Sequence, residues 1–257
     1  MPPAASVRWA EWLRRWDAQQ AGYLPHREER FAAMLDVLEA LLPAAFVAVD
    51  LACGPGAISQ RLLARFPDAR CVAVDTDPVL LALGQGALGD QSGRLRWVKA
   101  DLTEPDWSAA LGEEQVDAVL SATALHWLPG DALTRVYRAL GQLVRPGGVF
   151  LNGDRAGFPP HMPTFRALAE AGLAQRERGR PAGSEDWAAW WEALRREPDL
   201  AELFAERERR FAWRQPWDRR WESPIRDLHE AALREAGFRE VGVVWQRLDD
   251  HVLLAVR

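Results

Sequence analysis

Lysine is almost absent from this 257-residue chain: Lys99 stands alone among arginines, and the 32 basic residues are scattered among 37 acidic ones. No basic stripe forms and the net charge is -5, so phosphate-tracking nucleic-acid binding is disfavoured as a general function. Cysteine is scarce too. Cys53 and Cys71 sit in apolar runs without CxxC or Cys/His spacing, which argues against a disulfide framework and against a metal site. No apolar stretch approaches the ~18 residues of a membrane span. The opening Met-Pro-Pro-Ala-Ala reaches Arg8 and Glu11 without an apolar segment, so neither export nor membrane attachment is expected and a reducing cytoplasm is. Internal repeats and low-complexity tracts are likewise missing, and 48% hydrophobic with 27% charged residues is the balance of a folded globular chain.

What the chain does contain is an alternation of two periodicities. Trp9, Trp12, Leu13 and Trp16 fall at i, i+3, i+4, i+7, and Phe31, Met34, Leu35 and Leu38 repeat the spacing, so residues 1–42 read as a cap of two amphipathic helices joined near Gly22 and Tyr23. Then come short apolar runs separated by helical segments. Strands are expected over 46–51, 71–75, 95–101, 116–123 and 148–154, with helices over 57–66, 78–88 and 130–144. Continuous apolar strands alternating with helices imply a parallel sheet covered on both faces. Residues 155–222 break the pattern with helical spacing alone, around Phe165, Trp187, Trp190, Trp191 and Phe204, and read as a helical lid inserted into the fold. Trp213, Trp217 and Trp221 crowd into the same stretch, mostly as packing rings, with two or three of its tryptophans expected to face a ligand. Residues 223–257 return to helix and strand, and the short Asp249-Asp250 link forces the last two strands into an antiparallel hairpin. The expected fold is a doubly wound, Rossmann-like seven-stranded α/β sheet with an antiparallel last strand, its core over 43–154 and 223–257.

In such a sheet a ligand lies beyond the carboxyl ends of the strands. Polar residues stand there in this sequence: Asp50 to Gly56, then Asp75-Thr76-Asp77, then Asp101-Leu102, then Ser121-Ala122, then Asp154. Gly54 and Gly56 allow a tight turn with backbone close to a ligand. Asp75, about twenty residues on, can accept two hydrogen bonds from a ribose diol. Ser59 occupies the third glycine of GxGxxG, which weakens a dinucleotide assignment.

Together these segments resemble the class I S-adenosylmethionine (AdoMet)-dependent methyltransferases that act on small molecules. Val49-Asp50-Leu51-Ala52-Cys53-Gly54-Pro55-Gly56 is similar to the first motif of that family, Val72-Ala73-Val74-Asp75 to its ribose-binding strand and Lys99-Ala100-Asp101-Leu102 to its adenine-side motif. Val116-Asp117-Ala118-Val119-Leu120-Ser121 resembles the fourth-strand motif, and Leu143-Val144-Arg145-Pro146-Gly147-Gly148 the turn before the fifth strand. The resemblance implies AdoMet as cofactor, with Asp50 and the Ala52, Gly54 and Gly56 loop at its methionine moiety. It further implies Asp75 and Thr76 at the ribose, Asp101 and Leu102 at the adenine, Ser121 lining the cleft and Tyr23 closing over it. Ala52 departs from the motif where a glycine is frequent. The implied activity is methyl transfer to an O, N or C nucleophile of a small metabolite. The alternative is a methyltransferase-like fold that holds AdoMet unreacted and promotes a cyclisation or rearrangement. Because the sulfonium donor is already activated, placement supplies much of the rate. For a hydroxyl or ammonium acceptor His126, just past the fourth strand, is the candidate general base.

Overall fold

Strand-forming runs with both faces apolar leave the chain one way to satisfy them, a central sheet between helical layers. In the computed structural model, which describes residues 7–24, 26–178, 185–212 and 226–257, the parallel strands are β1 (Val47–Leu51), β2 (Arg70–Asp75), β3 (Leu95–Lys99), β4 (Val116–Ala122) and β5 (Val144–Arg155). A hairpin of β6 (Glu240–Arg247) and β7 (Asp250–Val256) completes seven strands in the order β3-β2-β1-β4-β5-β7-β6. β7 pairs antiparallel with both neighbours and is the one reversed strand. The fold class expected from the sequence is therefore present.

Alternation within the strands divides the core. Ala48, Cys71, Ala73, Leu120 and Leu151 face α2 (Arg27–Leu41) and α3 (Ala57–Arg65). Val49, Leu51, Val72, Val119 and Phe150 face α5 (Gly130–Leu143) and α9 (Arg226–Glu235). A third cluster lies off the sheet: Trp12 and Leu13 of α1 (Trp9–Tyr23) pack with Trp190, Trp191 and Leu194 of α7 (Trp187–Leu194), Phe204 of α8 (Ala201–Phe211) and Val79 and Leu83 of α4 (Pro78–Leu88). α6 (Pro163–Arg178) precedes α7. Residues 1–42, taken as one cap by periodicity, thus divide: α2 joins the core of the sheet while α1 joins the helices of the insertion. Gly22 and Tyr23 also differ from expectation, forming the last turn of α1 and not a linker. Trp213, Trp217 and Trp221 lie outside the described residues. Among the described residues no helix is long and apolar enough to cross a membrane, and no three His, Cys, Asp or Glu side chains are arranged to hold a metal ion.

Candidate active site

A cavity of about 880 Å³ opens above the carboxyl ends of β1 to β4. Its floor begins at β1, where Asp50 is buried and its Oδ2 accepts from the Ser59 backbone N–H at 2.9 Å and from the Ser59 hydroxyl at 2.7 Å. Ser59, the residue that replaces a third glycine, thereby holds the carboxylate against the start of α3. Burial pushes the Asp50 carboxyl up to about 6, against the two hydrogen bonds from Ser59. Beyond Asp50 the chain turns at Ala52, with φ of 55°, a region that costs a Cβ-bearing residue ~1–2 kcal/mol. The loop is tied to the next strand: Gly54 N–H donates to Asp75 Oδ2 at 2.8 Å, and Asp77 N–H donates to Oδ1 at 2.8 Å. Burial pushes Asp75 up to about 6 as well. Asp77 caps α4 through the Val79 and Leu80 amides at 3.0 and 3.3 Å, and Asp101 accepts from the Thr103 amide at 2.9 Å and its hydroxyl at 2.7 Å.

The roof comes from two distant stretches of chain. Trp16 and Tyr23 on α1 meet Trp187 and Trp191 on α7, with Arg207 and Phe211 on α8 beside them. The Tyr23 hydroxyl accepts from the Trp187 amide at 3.0 Å, Arg15 grips Glu185, and Trp12 Nε1 donates to Glu197 at 2.8 Å. Arg207 stacks 3.9 Å over Trp191 and donates to Asp77 at 2.6 Å, fastening α8 to the floor.

Eight residues singled out by sequence line this one cavity: Tyr23, Asp50, Ala52, Gly54, Asp75, Thr76, Asp101 and Leu102. Three do not line it. Gly56, with φ of 86°, packs the loop onto β3, since a Cβ there would come within 2.6 Å of the Trp97 ring. Ser121 is fully buried because its hydroxyl donates to the Leu51 carbonyl at 2.8 Å, joining the ends of β1 and β4 where the ladder stops. His126 stands behind the wall, its ring 4.4 Å from that of Trp127, which does line the cavity. Its Nδ1 lies 2.7 Å from Asp154 Oδ1 and its amide donates to Oδ2 at 3.2 Å. Burial alone would raise Asp154, but the His126 ring and Arg30 overcome it and hold the carboxyl down at about 2. An ionised Asp154 can only accept, so the His126 Nδ1 carries a hydrogen toward it. Arg27, Thr123 and Arg207 also line the cavity, unannounced by any motif.

The chain is similar to known methyltransferases. A family described as Methyltransferase domain matches residues 48–148. A trans-aconitate 2-methyltransferase of Azoarcus sp. strain BH72 is 38% identical over 135 residues, 52% of this chain and 48% of that protein. Its counterpart in Methylobacterium nodulans is 32% identical over 187 residues, covering 68% of this chain and 66% of the relative. The chain belongs to the class I AdoMet-dependent methyltransferases. It spans about half to two thirds of the length of the curated relatives it matches. In fold it is similar to an O-methyltransferase family protein from Burkholderia thailandensis, with TM-score 0.58 at 18% identity over 97% of this chain and 61% of that one.

The cavity's donor set suits the cofactor of that family. Among the described residues Asp50, Asp75, Asp77, Asp101 and Asp186 line it, with Arg27 and Arg207 as the cations. Both guanidiniums are already engaged, Arg27 with Asp17 at 2.7 Å and Arg207 with Asp77. On the floor the strand-end acids favour a cation carrying hydroxyl and amino donors over a pyrophosphate. In this chain the Ala52 departure is accommodated by the left-handed backbone it adopts, at a local cost in strain.

Proposed function

We propose that the protein binds AdoMet on the floor of this cavity and transfers its methyl group to a small metabolite held under the α1–α7–α8 roof. Bound AdoMet would supply an electrophilic methyl group whose leaving group is a neutral thioether. The residues do the holding. Asp50 and the Ala52–Gly54 turn receive the methionine end, Asp75 with Thr76 the ribose hydroxyls, and Asp101 with Leu102 the adenine. Gly56 and Ser121 keep that floor in shape from behind. Tyr23 closes the roof over the ligand by its bond to the Trp187 amide. Water is excluded by the tryptophans above, which raises the reactivity of an acceptor placed in line with the methyl group. The observation that carries this function is the convergence of the strand-end acids on one aromatic-roofed cavity.

The acceptor is proposed to be a small carboxylic acid, on the strength of the relatives' name, trans-aconitate 2-methyltransferase. His126 is a positioning residue in this scheme: paired with Asp154, it backs Trp127 in the wall. The test is calorimetric binding of AdoMet to wild type and Asp75→Ala, with mass-spectrometric detection of S-adenosylhomocysteine after incubation with trans-aconitate. Loss of Asp75 removes two charge-assisted hydrogen bonds and is expected to weaken AdoMet at least tenfold. Unchanged affinity in a folded variant would sink the cofactor assignment. Binding without release of S-adenosylhomocysteine or methylated acid would turn the activity toward unreactive use of AdoMet.

A further inference from the structure

Thr123 is the residue next to the end of β4, it lines the cavity, and its backbone is anomalous. Its φ is 56°, in the left-handed region that a β-branched side chain avoids. Strain of that kind persists only where the surroundings impose it, and it concentrates at functional positions. Here two bonds impose it: the Thr123 amide donates to the Gly153 carbonyl at 3.0 Å, and its hydroxyl oxygen accepts from Arg30 Nη2 at 2.5 Å.

Arg30 is unusual in its own right. It is fully buried, reaches from α2 across the sheet, and pairs with Asp250 on β7 at 2.9 Å. The path is cleared by Gly153, where a Cβ would stand 3.1 Å from Arg30 Cδ. A buried guanidinium is costly, and the charges of Asp250 and Asp154 offset it. Its second arm ends on the Thr123 oxygen.

The chemical consequence falls on the hydroxyl hydrogen. A threonine hydroxyl has one hydrogen and two lone pairs, and the cation takes a lone pair. Among the described residues the hydrogen has no acceptor. Polarised by the arginine behind it, the hydroxyl is biased to donate.

We infer that Arg30 and Thr123 form a fixed hydrogen-bond donor at the acceptor end of the cavity, selecting substrates that present a carboxylate or carbonyl oxygen there. The inference deepens the proposed function and rests on it, since Thr123 can read an acceptor only if AdoMet occupies the floor beside it. Arg30 itself touches no substrate; it acts through Thr123, while the spent charge of Asp250 keeps the pair neutral enough to stay buried.

The experiment is calorimetric titration of trans-aconitate into protein saturated with S-adenosylhomocysteine, for wild type, Thr123→Val and Thr123→Ser. Valine keeps the β-branch and loses the hydroxyl; serine keeps the hydroxyl. A lost bond to a charged oxygen is expected to weaken trans-aconitate at least tenfold in Thr123→Val, and Thr123→Ser to recover most of it. Affinity for S-adenosylhomocysteine should stay within twofold in both, which a merely structural role would not preserve. Equal trans-aconitate affinity in Thr123→Val and wild type overturns the inference, and so does a parallel loss of S-adenosylhomocysteine. Wild type that binds S-adenosylhomocysteine but not trans-aconitate overturns the inference and leaves the cofactor assignment standing; failure to bind S-adenosylhomocysteine refutes the proposed function itself.

Discussion

Two acids on the cavity floor give the proposed cofactor a pH dependence that runs opposite to that of the fold. Burial raises Asp50 and Asp75 from 3.8 to about 6 in the free protein. A carboxyl raised by that amount holds a proton that the unfolded chain would release, so each costs about 3 kcal/mol of stability at pH 7, relieved as pH falls from about 7 toward 4. AdoMet needs the ionised forms, as acceptors for its ribose hydroxyls and partners for its ammonium. At pH 5 about one molecule in eleven has a given carboxyl ionised, so Kd should rise roughly tenfold per carboxylate between pH 7.5 and 5, and roughly a hundredfold if both are required. Near pH 6, where each is half protonated, binding should release about one proton in total. Calorimetry in two buffers of different ionisation enthalpy reads both quantities, and a thermal melt of the free protein reads the opposing gain in stability. A Kd constant within twofold from pH 7.5 to 5, without proton release, would refute the placement of these acids against the cofactor.

Two further outcomes follow from the roof and the wall. Trp190 is fully buried, with its ring 4.9 Å from Trp16 and 5.1 Å from Trp191, so Trp190→Ala should cost ~3–5 kcal/mol. Because its cluster lies off the sheet, hydrogen exchange should accelerate in α1, α7 and α8 while β1 to β5 stay protected; an even loss across the strands would show that the roof has no core of its own. For His126, standing behind Trp127, His126→Ala should lower kcat less than tenfold at saturating substrates, and Asp154→Asn should do no more. A hundredfold fall with loss of the acidic limb of the rate profile would reinstate His126 as general base.

Much of the fold was written in local pattern. A run such as Val47–Leu51, apolar on both faces and closed by small and polar residues, has few homes other than a covered parallel strand, and the short Asp249-Asp250 link admits only a hairpin. Strand-end acids were legible for the same reason: Asp50, Asp75 and Asp101 sit where the chain leaves the sheet. The errors lie one residue beyond that logic. Ser121 keeps the strand's alternation and so turns into the sheet, whereas Thr123, one residue beyond the end of β4 and in a left-handed turn that propensity disfavours, meets the cavity. GxG reads as two glycines facing a ligand, yet Gly56 is needed for Trp97, a contact 41 residues away that no local signal encodes. Tryptophan spacing announced helices, but not that α1 would pair its rings with α7.

That pairing has a consequence for how acceptor preference could change over time or at the bench. The chamber above the floor is assembled from a segment before the sheet and a segment near its far end, locked by Trp16 against Trp190, Arg15 against Glu185 and Tyr23 against Trp187. A donor protein's insertion transplanted alone would meet the wrong α1, leaving indole edges without partners and acids without counter-charges. The roof of this scaffold therefore travels as a matched set of two distant cassettes, and recombination that separates them should yield chains that keep the floor and lose the room above it.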